Sequence, residues 1–232
     1  VLKQNSPTTL NGIVLNFTPC YSISEDADDI AATAFADDYL NQWYMKPIMD
    51  GTYPAIIEQL PSAHLPDIHD GDMAIISQSI DYLGINFYTR QFYKAHPTEI
   101  YEPIEPTGPL TDMGWEIYPK SFTELLVTLN NTYTLPPIFI TENGAAMPDS
   151  YNNGEINDVD RLDYYNSHLN AVHNATEQGV RIDGYFAWSL MDNFEWAEGY
   201  LKRFGIVYVD YSTQQRTIKN SGLAYKALIS NR

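Results

Sequence analysis

Four short apolar runs limit the fold of this 232-residue chain more than any other feature. They are Gly12-Ile13-Val14-Leu15-Asn16-Phe17, Tyr82-Leu83-Gly84-Ile85-Asn86-Phe87-Tyr88, Ile138-Phe139-Ile140-Thr141 and Ile182-Asp183-Gly184-Tyr185-Phe186-Ala187-Trp188. Each is near-continuous rather than alternating, short, and rich in β-branched and aromatic residues, the pattern of strands covered on both faces. Helical patterns separate them. Ser22-Ile23-Ser24-Glu25 has capping-box spacing and is followed by Ala27, Ile30, Ala31 and Ala34, which predicts a helix to about Met49, ended by Gly51. The acidic run Glu25, Asp26, Asp28 and Asp29 suits the positive end of that helix better than a cation site. A second helix is predicted near 121–130. A third carries the stripe Leu162, Tyr165, Leu169 and Val172, is capped by Asn157 or Asp158 and is closed by Gly179. A hairpin-like segment over 203–211 and a helix over 221–229 follow. Strands alternating with helices indicate an α/β fold with a parallel sheet. No linker or low-complexity segment divides the chain, so residues 1–232 read as a single unit.

Charge and composition remove several classes of function. Thirteen Lys and Arg against thirty Asp and Glu leave a net charge of −17. With no basic cluster, such a chain repels phosphate backbones and anionic lipid, and neither nucleic acid nor membrane is expected as a partner. One cysteine, Cys20, excludes an internal disulfide framework. No run reaches the roughly 18 apolar residues of a membrane span, and no signal-peptide pattern is visible, so a soluble, cytoplasmic chain is the expectation. His168 and His173 stand five apart, too far round a helix to share a metal. Phosphate-binding, dinucleotide and Gly-x-Ser-x-Gly signatures are all missing, and no cofactor or metal is expected. Of the three sequons, Asn16 falls in a predicted buried strand; those at Asn130 and Asn174 are open to either reading.

The polar residues that end three of the runs carry the functional signal. The second run closes on Asn86 and Tyr88, the third on Thr141-Glu142-Asn143-Gly144, and the fourth leads through Trp188 to Asp192-Asn193-Phe194-Glu195-Trp196. Reactive groups of parallel α/β folds lie at the C-terminal ends of strands. Taken singly, Glu142 could equally be a strand-ending residue before an Asn-Gly turn, and the Trp188 to Trp196 stretch could be core tryptophans beside a solvated acidic loop.

Ile140-Thr141-Glu142-Asn143-Gly144, the 82–88 run and Trp188-Ser189-Leu190-Met191-Asp192-Asn193-Phe194-Glu195-Trp196 together resemble glycoside hydrolase family 1, the β-glucosidase family. Gly114-Trp115-Glu116-Ile117-Tyr118-Pro119 and the segment from Lys202 to Tyr211 add to the likeness, which covers the chain in order. It implies a (β/α)₈ TIM barrel in which this chain supplies strands five to eight and their helices. It further implies that Glu142 is the nucleophile of a retaining mechanism, with Tyr88 hydrogen-bonded to it and Asn86 beside it. By the same likeness Trp188 lies under the sugar ring, Glu195 and Trp196 grip the 4- and 6-hydroxyls, Phe204 forms a nearby wall and Trp115 faces the aglycone. A carboxylate at the place of Glu195 repels a sugar 6-phosphate, so plain β-glucosides are the expected substrates, with β-galactosides and β-fucosides left open beside them.

The family's acid/base glutamate belongs to an Asn-Glu-Pro motif that this chain lacks, and the resemblance assigns that role to none of Glu116, Asp192 and Glu198. A complementary N-terminal half-barrel polypeptide is therefore the expected partner, and hydrolysis is expected only with it. The alternative from a different class is a non-catalytic sugar-binding or assembly fragment that keeps the sugar subsite.

Overall fold

In the computed structural model, which describes residues 2–230, the four apolar runs pair side by side in one parallel sheet. In chain order the strands are β1 (Gly12–Phe17), β2 (Cys20–Ser22), β3 (Tyr82–Phe87), β4 (Gln91–Lys94), β5 (Glu102–Ile104), β6 (Ile138–Asn143), β7 (Tyr151–Asn152), β8 (Glu155–Ile156), β9 (Ile182–Ala187), β10 (Val207–Val209) and β11 (Arg216–Ile218). The helices are α1 (Leu2–Asn5), α2 (Ala27–Asp37), α3 (Trp43–Asp50), α4 (Asp72–Ile76), α5 (Lys120–Thr132), α6 (Val159–Glu177) and α7 (Asn220–Ser230). The sheet order β1-β3-β6-β9 follows the chain, so each successive strand is added on the same side of the one before. Its register sets Asn16 beside Asn86 and Asn86 beside Glu142, one polar row at the C-terminal edge.

The core lies between the sheet and α5 and α6. Leu15, Phe17, Leu83, Ile85, Phe87, Ile138 and Ile140 point outward onto Phe122, Leu126, Ala171, Val172 and Ala175. Phe87 and Phe122 stack in parallel with centroids 4.2 Å apart, a contact worth roughly 1 kcal/mol beyond area burial. The inner strands β3 and β6 are well buried, whereas β1 and β9 have a strand on one side only. Ile13, Val14 and Asn16 of β1 are consequently exposed, contrary to a strand buried on both faces.

Several local expectations change. The cap of α2 is Asp26, whose carboxylate accepts from Asp28 N at 2.9 Å. Ser22, the expected capping residue, belongs to β2, because the chain after β1 pairs with β4 and builds a small rim sheet β2-β4-β5. The predicted helix to Met49 is broken into α2 and α3 by a π-helical stretch over Asp38–Gln42, and Gly51 ends α3 at φ 70°. This widened turn brings Asn41 to the strand ends, where it accepts from Thr18 N at 3.1 Å and donates to Thr18 O at 2.9 Å. The hairpin β10-β11 closes beyond Tyr211, through residues 210–215. The buried face of α6 is Arg161, Tyr164, Tyr165, His168, Ala171, Val172 and Ala175; of the stripe Leu162, Tyr165, Leu169 and Val172 it includes only Tyr165 and Val172, since Arg161 and His168 take core positions.

Candidate active site

The C-terminal strand ends and the loops that leave them enclose a cavity of about 730 Å³. Glu142 is the penultimate residue of β6 and Tyr88 follows β3 directly. Neighbouring parallel strands thus present a carboxylate and a phenol side by side, and Tyr88 Oη donates to Glu142 Oε2 at 2.7 Å. Burial, then the hydrogen bond and charge of Glu142, push the Tyr88 phenol far above its ordinary value. It therefore stays an O–H donor at any working pH. Asn86 accepts from Thr141 Oγ1 at 2.7 Å, one register position behind Glu142.

Asn143 does not begin a turn. It is the last residue of β6, fully buried, and its amide is a hub that donates to Phe87 O (2.8 Å) and Tyr164 Oη (3.0 Å) and accepts from Tyr185 Oη (2.7 Å). Tyr164 Oη in turn donates to Tyr88 O at 3.2 Å, so the backbones on either side of the Tyr88–Glu142 pair are joined through one helix residue. Gly144 is required for contact rather than for a turn: a Cβ there would lie 1.7 Å from Trp188 O. That closeness lets Trp188 N donate to Asn143 O at 2.8 Å and sets Trp188 against the Glu142 strand.

Aromatic rings form the walls. Tyr88, Trp115 and Phe204 contact one another with centroids 5.4 to 6.1 Å apart. Trp115 is held through its neighbour Glu116, which accepts from Arg90 Nε at 2.7 Å and Nη2 at 3.2 Å, while Thr89 Oγ1 donates to Glu116 O at 2.9 Å. The Arg90 guanidinium lies 3.3 Å over the Tyr118 ring. Glu116 is therefore engaged in a structural clasp. On the other wall, burial and the nearby Glu142 charge raise the Glu195 carboxyl above its ordinary value, and hydrogen bonding from the Trp188 side chain opposes both. Trp196 lines the cavity but is 80% exposed, on the open side of the loop.

All eight residues singled out from the sequence come together here: Asn86 sits in the polar row beside Glu142, and the other seven line the cavity. Sequence reading missed Asn16, Thr18, Asn41, Gln91, Tyr93 and Met113, which also line it. Asn16 had a signal, since it is a polar residue near the end of the first strand just as Asn86 is of the second. Asn41 had none, because only the π-helical turn aims it. Among the described residues no group of three His, Cys, Asp or Glu could hold a metal ion.

The family model for glycosyl hydrolase family 1 matches residues 2–232. The chain belongs to glycosyl hydrolase family 1. Over 98% of its length it is 42% identical to a β-glucosidase of Agrobacterium sp., of which it covers 51%. It is 41% identical over 95% of its length to β-glucosidase A of Thermotoga maritima, of which it covers 50%. A solved β-glucosidase from Exiguobacterium marinum superposes with a TM-score of 0.94 at 42% identity, covering 99% of this chain and 54% of the other. The chain thus spans about half the length of the family 1 proteins it matches. Its four parallel strands are strands five to eight of the family's (β/α)₈ barrel, and the site lies at the C-terminal face, where reactive groups of such barrels gather. No described helix is long and apolar enough to cross a membrane.

Proposed function

We propose that residues 1–232 act as one unit, the nucleophile-bearing half of a retaining β-glucosidase that works on terminal β-D-glucosyl residues once a complementary N-terminal half-barrel is in place. The observation that carries this reading is the 2.7 Å hydrogen bond from Tyr88 to Glu142 at the mouth of the parallel sheet. Glu142 attacks the anomeric carbon as the bond to the leaving oxygen breaks, and a covalent glycosyl-enzyme forms. Tyr88, kept protonated by burial, holds the carboxylate in line. Water then attacks the same carbon and frees glucose with net retention. The leaving oxygen needs a proton, and the partner carboxyl of a retaining pair stands about 5 Å from the nucleophile. Among the described residues the carboxylates lining the cavity are Glu142, Glu195 and Glu198, and Glu195 is reserved in this reading for the 4- and 6-hydroxyls. The resemblance assigns the acid/base role to none of them and places it in an Asn-Glu-Pro motif that this chain lacks, so in this reading the acid/base comes from the complementary half.

The exposed apolar surface supports a partner. Phe186 and Leu190, 56% and 64% exposed, line one surface with Met191 at and just after the open β9 edge, an apolar patch of the kind that marks an interface. An open edge on β1 completes the seam.

The test is hydrolysis of p-nitrophenyl β-glucoside by the chain alone and after co-assembly with an N-terminal half-barrel. The expected result is no useful turnover alone, turnover after assembly, and its abolition by Glu142→Ala. A 2-fluoro-glucoside should label Glu142 in the active assembly. Turnover that survives Glu142→Ala overturns the proposal, and sugar binding without turnover in the assembly favours the non-catalytic reading. Preference for the glucoside 6-phosphate would remove the role given to Glu195.

A further inference from the structure

Behind Glu195 and Phe204 lies a buried ion network that the proposed chemistry does not use. Arg161 pairs with Asp149 (2.9 Å) and Asp158 (2.6 Å), Lys219 with Asp149 (2.6 Å) and Asp192 (2.9 Å), and Arg203 with Asp192 (2.6 Å). Three cations meet three carboxylates, so the cluster is formally neutral. Every side chain in it is fully buried except that of Arg203, which is 20% exposed. Burial and the Arg161 charge lower the Lys219 ammonium, and the Asp149 and Asp192 carboxylates oppose them.

Asp192 occupies the point where this network meets the cavity wall. Its carboxylate accepts four donors: Arg203 Nη1 (2.6 Å), Lys219 Nζ (2.9 Å), Gly205 N (3.0 Å) and Val209 N (3.3 Å). Residues 203 and 205 flank Phe204, and Asp192 precedes Glu195 by three residues. The two segments are also laced by backbone bonds, Ser189 N to Phe204 O at 3.2 Å and Ile206 N to Ser189 O at 2.8 Å. A Cβ on Gly205 would lie 2.1 Å from Asp192 N, so the segments touch backbone to backbone. One carboxylate therefore sets the relative placement of the loop that carries Glu195 and the segment that carries Phe204.

We infer that Asp192, clamped by Lys219 and Arg203, is the positioning residue for the wall that reads the 4- and 6-hydroxyls of the sugar; this rests on the reading of Glu195 given above. Asp192 touches no sugar. It acts by holding Glu195 at the geometry in which its oxygens accept two hydroxyls at once, and a charge there is needed because two cations converge on it.

A β-xyloside keeps the 4-hydroxyl but lacks the 6-hydroxyl, so its comparison with the glucoside reads the 6-hydroxyl's contact with this wall. In the assembled barrel, the ratio of kcat/KM for p-nitrophenyl β-glucoside to that for p-nitrophenyl β-xyloside is measured for the parent, Asp192→Asn, Lys219→Met and Glu195→Gln. The expected result is a ratio at least about tenfold lower in Asp192→Asn, with Lys219→Met changing in the same direction by less. Equal losses on both substrates, with an unchanged ratio, overturn the proposal, since a merely structural defect lowers both alike. Glu195→Gln separates the two ideas. If it leaves the ratio unchanged, the reading of Glu195 has failed, and hydrogen exchange on the chain decides the positioning claim by itself. Asp192→Asn must then speed exchange of the Glu195, Gly199, Gly205 and Val209 amides while leaving those of α5 as in the parent. Unchanged exchange at the four amides overturns it.

Discussion

Two buried hubs stand behind the cavity, and they are built on opposite electrostatic plans. Behind Glu142 the hub is neutral: the Asn143 amide and the Tyr164 and Tyr185 hydroxyls link β3, β6, β9 and α6 with no formal charge. Behind Glu195 the hub is ionic, with three cations and three carboxylates shared among α6, the residues that immediately precede α6 and α7, and the loops after β6 and β9. The difference follows from what each holds. Adjacent strands already fix Glu142 and Tyr88, so their hub needs only to satisfy polar groups in a packed interior. Glu195 stands on a loop with no ladder of its own, and multivalent charged bonds supply the stiffness that a sheet would otherwise give.

The largest expected effect breaks the ionic hub. Arg161→Met leaves Asp149 and Asp158 buried without their shared cation, which should destabilise the chain by about 3–5 kcal/mol. The urea midpoint at fixed m-value measures it. A loss under 1 kcal/mol would mean that the network contributes far less than its burial implies.

Next comes a pH effect seated at the neutral hub. His168 stacks on Tyr164 at 3.7 Å, is fully buried, and has no partner for Nε2. Burial lowers its pKa from 6.5 to about 4, against a smaller opposing hydrogen bond to Tyr164 O. Because the folded pKa is depressed, the unfolded chain takes up the proton first as pH falls. The stability associated with a neutral imidazole is complete above about pH 6.5 and is lost progressively toward pH 4, by about 3 kcal/mol. Comparing urea midpoints at pH 7 and pH 4.5 for the parent and His168→Gln should show a markedly smaller pH loss in the variant.

Asn143→Ala should cost about 1–3 kcal/mol, because it removes the side-chain donor to Phe87 O and the acceptor of the Tyr185 hydroxyl in a dry interior, while Tyr164 keeps its bond to Tyr88 O. Placing that loss clearly below the loss in Arg161→Met would confirm the contrast between neutral and charged hubs; equality would erase it. The smallest effect belongs to the exposed i,i+4 pair Lys46–Asp50 at 2.9 Å. Lys46→Ala should change stability by no more than about 0.5 kcal/mol, and added salt should diminish even that.

Much of the fold could be read from local pattern. Near-continuous runs of β-branched and aromatic residues mark β1, β3, β6 and β9 with accurate starts, since strand-forming residue types show within a few adjacent positions, although only the inner strands β3 and β6 are well buried. Glu142, Tyr88 and Trp188 were legible for the same reason, as polar or aromatic residues at strand ends. The misread details have a common cause. Ser22 to Glu25 has capping spacing, yet Ser22 pairs with Tyr93 on a strand 71 residues later in the chain, and that pairing prevails over a local propensity. Asn143-Gly144 has the composition of a turn, but burial against Tyr164, Tyr185 and Trp188 keeps Asn143 in the strand. On α6, Arg161 and His168 occupy core positions because distant partners or a stacked ring receive them, so an apolar stripe could not reveal that face.

The sequence by itself determined which segments become strands, which of their ends carry the carboxylate, phenol and indole, and that the strands belong to a larger barrel. Those properties depend on neighbours within a few positions or on short motifs. Only the tertiary structure decided that Glu116 is a clasp for Trp115, that Asp192 is a buried anchor and that Asn41 reaches the cavity. Each of these depends on partners 23 to 27 residues away along the chain, such as Arg90 for Glu116, Lys219 for Asp192 and Thr18 for Asn41. An acidic side chain looks the same in sequence whether it faces water, a substrate or a buried cation; the desolvation and the partner that distinguish these roles exist only after the chain has folded.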